Sequence, residues 1–186
     1  EGTMFQYTYQ MNLNTSFTGD DNLYVRLKSG NSVKNSSPFA TSSAGSYLSS
    51  TNTNGDALKI DKIWYTFPIG DSNTVWVGPR IENYYMHGAS PSIYSPTLKQ
   101  FKLGGNGAAY GASTNTGIGW AYNADNGFSV SSNVVSKTAG ATTGFLTDES
   151  ATNWSTQIAY TTDSYHISLI NALKYDWSDS YYSTTL

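Results

Sequence analysis

The chain has 186 residues, enough for one domain of ordinary size with a real core. It is 38% apolar and 12% charged, with 17 Gly, 15 Tyr and 5 Trp; low charge with abundant aromatics excludes an intrinsically disordered chain, which shows high net charge and few aromatics. A formal net charge of −3 and a pI near 5.1 lack the basic field of a nucleic-acid-binding protein, so nucleic acid is set aside as a partner.

Phe5 to Phe17 alternates: Phe5, Tyr7, Tyr9, Met11 and Leu13 are apolar or aromatic, and Gln6, Thr8, Gln10, Asn12 and Asn14 between them are uncharged and polar. Successive side chains of a strand point to opposite faces, so this period of two predicts a strand with one greasy and one hydrogen-bonding face. An antiparallel sheet over a soluble core carries the same signature. Thr18 to Asp21 supplies a compact turn. Asn22 to Lys28 alternates again, Leu23, Val25 and Leu27 against Tyr24, Arg26 and Lys28. Gly30 to Asp56 is a long connection of Ser, Asn, Thr and Gly, and structureless loops beyond about 12–15 residues are uncommon in compact domains.

Leu58 to Phe67 is a strand whose parity changes between Ile60 and Ile63; a bulge near Asp61 reconciles the two halves, as does a strand whose upper part rises out of the apolar band. Past the turn Pro68 to Asn73, Thr74 to Ile81 sets Val75, Val77 and Ile81 against Trp76, Gly78 and Arg80, with Pro79 marking the strand's end or an edge because it cannot donate to a ladder. The second long connection runs from Glu82 to about Tyr110. Gly117 to Tyr122 then turns through Asn123 to Gly127, a strong hairpin signal, into Phe128 to Val135. A third long connection covers Lys137 to about Asn153. Trp154 to Tyr160 turns at Thr161 to Ser164 into Tyr165 to Tyr175, and the polar and aromatic remainder, Asp176 to Leu186, is assigned no element.

The eight strands are therefore joined by connections that alternate short and long, the long ones at about 30–56, 82–110 and 137–153. Outer-membrane barrels have short turns at one end and long loops at the other, and a soluble sandwich has no reason to put every long loop at one end. The expectation is an all-β antiparallel transmembrane β-barrel, in one domain spanning 1–186 or the N-terminal half of one. A mean hydropathy of −0.40 does not oppose this, because a membrane strand needs only about 9–11 alternating residues. There is no cysteine, which excludes a disulfide scaffold and is compatible with an exported bacterial protein. The chain opens at Glu1 in the middle of things, so it is expected to be processed, trimmed or cut from a longer one.

No enzyme signature emerges. His87 and His166 are far apart and no carboxylate pair or nucleophile motif stands near either; Gly104 to Gly107 lacks the Lys-Ser/Thr of a phosphate loop, and Asp20, Asp21 and Asp61 lack calcium-loop spacing. No cofactor and no metal site is expected. The one constellation with a mechanism is basic: Arg26, Lys28, Lys59, Lys62 and Arg80. With the apolar parity toward lipid, Arg26, Lys28, Lys62 and Arg80 share the inner face with Trp64 and Trp76, where basic groups favour anions and aromatic faces suit sugar rings or narrow the bore. The bland alternative is a set of solvated side chains. Tyr7, Tyr9, Tyr65 and Trp154 are candidates for an interfacial girdle, or for cross-strand packing in a soluble sheet.

FQYTYQMNLNTSFTGDDNLYVRLKSGN, KIDKIWYTFPIGD, VWVGPRIENYY and SPTLKQFKLGGNGAAYGAS together resemble the cyanobacterial porins labelled iron uptake porins, of the carbohydrate-selective porin family. The resemblance implies an outer-membrane, water-filled barrel for passive passage of small hydrophilic solutes and inorganic ions, with outer-membrane lipid as its surroundings and a homotrimer as one assembly. The family carries an N-terminal envelope-anchoring domain and more strands, roughly 16 for a true channel, which makes this chain the first half of a longer barrel. The rival expectation is a secreted all-β glycan-binding or adhesion module with exposed Tyr and Trp.

Overall fold

A computed structural model of the chain describes residues 3, 5–32, 54–90, 114–137, 144–175 and 182–185. Nine strands form one sheet, each pairing antiparallel with its neighbours in sequence: β1 Thr8–Thr15, β2 Asn22–Gly30, β3 Lys59–Ile69, β4 Asn73–Glu82, β5 Thr114–Asn123, β6 Phe128–Ser136, β7 Thr152–Thr161, β8 His166–Tyr175 and β9 Tyr182–Thr185. There is no α-helix among the described residues; a 3₁₀ turn, Asn83–Met86, follows β4. Eight strands lie where the alternating stretches predict them. The ninth is unannounced, because YSTT is too short to display a period, and its pairing with Ile170 to Leu173 of β8 is what makes it a strand. The sheet is open: β1 and β9 are its two edges and are not paired with each other.

The connections between strands span 16–21, 70–72, 124–127 and 162–165 at one end of the sheet, and 31–58, 83–113, 137–151 and 176–181 at the other. The Gly-rich stretch around Gly104 to Gly107 lies outside the described residues. At the short-turn end, Asp21 closes the first turn: its carboxylate accepts from Ser16 Oγ at 2.7 Å, Thr18 N at 2.7 Å, Thr18 Oγ1 at 2.7 Å, Phe17 N at 3.0 Å and, from β3, Tyr65 Oη at 2.6 Å. Those donors, Tyr65 first, then Thr18 and Ser16, hold its carboxyl far below the usual carboxylate range.

Two irregularities set which side chain faces where. Arg26 pairs with Lys62 but Leu27 pairs with Ile60, so Asp61 is the extra residue of a bulge, at the place the parity change demands. In β4 the register slips between Gly78 and Ile81 against β5, and between Tyr65 and Ile63 against β3. Pro79 thus sits in a bulge inside a strand paired on both sides, not at a strand end or edge. A bulged residue has no ladder partner, so the missing N–H costs nothing there.

The register assigns every side chain to one of two faces. One, the apolar face, carries Met11, Leu13, Val25, Ile63, Val77, Ile118, Val134, Ile158, Leu169 and Leu173 in cross-strand rows. The polar face carries Gln10, Asn12, Asn14, Arg26, Lys28, Lys62, Ser129, Ser131, Asn133, Ser155 and Gln157. The buried cluster Trp64, Ile81, Met86 and Val135, with Tyr24 and Trp76 packed on it, lies on the polar face, because the 3₁₀ turn folds back over it. Gly119 makes that possible: a Cβ there would lie 2.7 Å from Met86 Cβ and Sδ.

Candidate functional site

From β5 to β8 burial on the two faces is the inverse of a water-soluble sheet, whereas on β1 the polar-face residues Gln10, Asn12 and Asn14 are exposed. On the apolar face Ile158 is 50% exposed and Ile167 57%, and Ile118, Leu169 and Trp154 are comparably open; on the polar face Ser131, Asn133, Ser155 and Gln157 are buried. Soluble proteins bury the first set and expose the second. The exposed face is also banded. Tyr65, Trp120, Tyr122, Phe128 and Tyr160 cluster toward the short turns, Tyr9, Trp154 and Tyr175 toward the long connections, and aliphatic side chains such as Val25, Ile63, Val77, Ile118, Ile158 and Leu169 fill the middle. The indole N–H groups are satisfied within the sheet, Trp120 Nε1 donating to Asn73 Oδ1 at 3.0 Å and Trp154 Nε1 to Ser132 Oγ at 2.8 Å. A short polar row, Ser132, Thr156 and Asn171, crosses this face. Of the proposed girdle residues, Tyr9, Tyr65 and Trp154 stand on the apolar face, and Tyr7 precedes β1, its hydroxyl bonded to Asp56.

The polar face gathers the charged constellation. Arg26, Lys28, Lys59, Lys62, Trp64 and Trp76 lie on it, by the pairs Arg26 with Lys62, Lys28 with Lys59, Tyr24 with Trp64 and Thr66 with Trp76. Arg80 does not join them. The Pro79 bulge sets it opposite Ile63, on the apolar side, where its Nε donates to the Asp61 carbonyl at 3.2 Å. That corrects the even-parity placement, which a bulge in β4 invalidates.

Two of the cations are neutralised locally. Arg26 Nε donates to Asp61 Oδ2 at 2.5 Å within an ion pair, and the bulge is what turns Asp61 toward Arg26. Lys62, only 2% exposed, pairs with Glu82, which also accepts from Thr114 Oγ1 at 3.0 Å. Lys62 Nζ sits 4.4 Å from the Tyr85 ring centroid and 5.8 Å from that of Tyr84. The rings continue as a run: Tyr84 to Tyr85 at 5.0 Å, Tyr85 to Trp64 at 5.2 Å, Trp64 to Tyr24 at 4.4 Å. Burial pushes the Tyr84 and Tyr85 hydroxyls above their ordinary value. Asp61 and Glu82 thus offset two of the cations on this face. Asp61, Glu82, Tyr84 and Tyr85 were not singled out as site residues from the sequence. The parity change at Asp61 was the one available signal, since the other three act only once the chain folds back after β4.

Past the 3₁₀ turn, His87 is buried, neither ring nitrogen has a hydrogen-bond partner among the described residues, and burial pushes its pKa down to about 4. Ala89 N donates to Gln157 Oε1 at 3.1 Å, and Gln157 Nε2 donates to the Ala89 carbonyl at 3.0 Å. A cleft of about 360 Å³ lies beside this segment at the short-turn end, lined by Gly88 to Ser90, Asn123, Ser129, Thr161 and His166 among others. No cluster of three or more metal-ligating side chains exists among the described residues. No family model, curated protein or solved structure matches the chain.

Proposed function

We propose that the nine strands belong to a transmembrane β-barrel, apolar face to lipid and polar face to a water-filled lumen. More particularly, the chain acts as an outer-membrane porin like those of the carbohydrate-selective and iron uptake type that it resembles, passing small hydrophilic solutes or inorganic ions without chemistry. The burial of β5 to β8 carries the proposal: an exposed apolar face with aromatic side chains toward both ends, interrupted by the polar row Ser132, Thr156 and Asn171 and backed there by a buried polar face, is the pattern a lipid-facing strand favours. That the three long connections, 31–58, 83–113 and 137–151, all fall at one end supports it further.

In lipid an unpaired strand edge is not tolerated, so β1 and β9 each need a neighbour. All the strands here alternate in direction, so β1 and β9 run the same way, and antiparallel closure takes an odd number of further strands between them. That yields the even total of bacterial barrels. Arg26, Lys28, Lys59 and Trp76 then border the lumen, with Lys62 and Trp64 buried beneath residues 83–86, and its field favours anions weakly because Asp61 and Glu82 offset two of the cations.

The test is purification of the full-length product, including the strands that close the sheet, with and without detergent, followed by planar-bilayer recording. Detergent-dependent monodispersity and stepwise conductance are expected. A monodisperse protein in plain buffer overturns the membrane assignment, and a detergent-dependent protein that inserts without conducting overturns the transport assignment.

A further inference from the structure

We propose that residues 83–90 form a gate across the polar face that docks at neutral pH and lifts off as the pH falls. Its effect on conductance rests on the porin proposal; the undocking itself does not.

The segment is held at three points. Glu82 pairs with the buried Lys62 at its root, Met86 fills the notch left by Gly119, and Gln157 of β7 clamps both backbone groups of Ala89. Against these anchors stands a polar penalty. Docking covers His87, Ser129, Ser131 and Asn133, whose ring nitrogens, hydroxyls and amide atoms have no hydrogen-bond partner among the described residues. Gly88 lies directly on Ser129, and Met86 lies beside Asn133. A buried polar group without a partner is costly, whereas in a wet lumen water satisfies it. Undocking therefore exchanges an apolar contact and a clamp for the hydration of several groups, so the polar penalty offsets part of what the anchors contribute.

The proton supplies the bias. Docked, His87 is held neutral by burial, with its pKa near 4; undocked, it titrates as an exposed imidazole at about 6.5. Because the docked value is the lower, docking is at full strength above about pH 6.5 and weakens as the pH falls toward 4. Among the described residues, β5, β6 and β7 bring no ionisable side chain to the polar face. The charged and titratable groups near the segment are Lys62 and Glu82 at its root, its own Tyr84 and Tyr85, Arg26 and Asp61 beyond them, and His166 and Lys174 of β8 on the same face. Desolvation, with no neighbouring charge, lowers the His87 value. Between pH 7.5 and pH 4.5 the docked-to-undocked ratio then falls about 70-fold.

The experiment uses the full-length product, including the strands that close the sheet, in lipid vesicles, comparing amide hydrogen exchange at the two pH values after correction for intrinsic rates, with planar-bilayer conductance recorded in parallel. Protection of residues 83–90 is expected to fall by up to about 70-fold at pH 4.5 while β5 and β6 keep theirs, and conductance is expected to rise. His87→Leu is expected to remove the pH dependence, and His87→Gln, a more polar replacement, to remove it too. Gln157→Leu is expected to lower protection at both pH values while keeping the pH dependence. Unchanged protection in the wild-type chain, or the same fall in either His87 variant, overturns the proposal. A fall in protection without any conductance upholds the undocking and overturns the porin assignment instead.

Discussion

Ile158→Lys separates the lipid-facing sheet from a soluble one. Ile158 is 50% exposed in the aliphatic middle of the apolar face, directly opposite Val130 on β6 and Leu169 on β8. If that face meets hydrocarbon, a lysine near the bilayer midplane of a barrel strand costs about 2–4 kcal/mol, a fall of roughly 30-fold to nearly 1,000-fold in the folding equilibrium constant at about 1.36 kcal/mol per tenfold. If the face meets water, the same change is a surface substitution, within about 0.5 kcal/mol of neutral. Reversible urea unfolding in lipid vesicles, followed by tryptophan fluorescence, reads the difference. Asp125→Lys, in the exposed 124–127 turn, serves as the control and is expected to stay within about 0.5 kcal/mol. An Ile158→Lys variant as stable as the control refutes the lipid-facing assignment.

Glu82→Gln leaves the buried Lys62 ammonium without its counter-charge and is expected to destabilise the fold by about 3–5 kcal/mol, while the double variant Lys62→Met with Glu82→Gln recovers most of that loss in the same unfolding assay. Equal losses in the single and double variants would show that the pair does not act as a unit. Asp21 contributes stability above the ordinary carboxylate pKa, because its folded value is depressed, and the contribution is lost as the pH falls below that value. A urea-midpoint series from pH 7 to pH 2 is therefore expected to slope more gently in Asp21→Asn than in the wild-type chain, and parallel curves would remove Asp21 from the acid response.

Much of this architecture is legible in the sequence because the information is local. A period of two needs only five or six residues to declare a strand, as in Tyr7 to Leu13, and turn chemistry at Thr18 to Asp21 or Asn123 to Gly127 is written in consecutive residues. The Asp61 bulge was legible for the same reason, as a parity change between Ile60 and Ile63 within one strand. The Pro79 bulge was not, because Val75, Val77 and Ile81 keep one parity throughout; only the register against β3 and β5 shows that Ile81 has moved to the polar face and Arg80 to the other.

Tertiary structure alone decided the content of the site. That Lys62 meets Glu82 and Arg26 meets Asp61, that Gly119 leaves room for Met86, and that Gln157 reaches back to Ala89 are consequences of the chain folding over the sheet after β4. Such contacts join residues tens of positions apart, and no periodicity encodes them. Strand identity is set by which face each side chain shares with its near neighbours; charge balance and burial on the polar face are set by what distant segments bring to it.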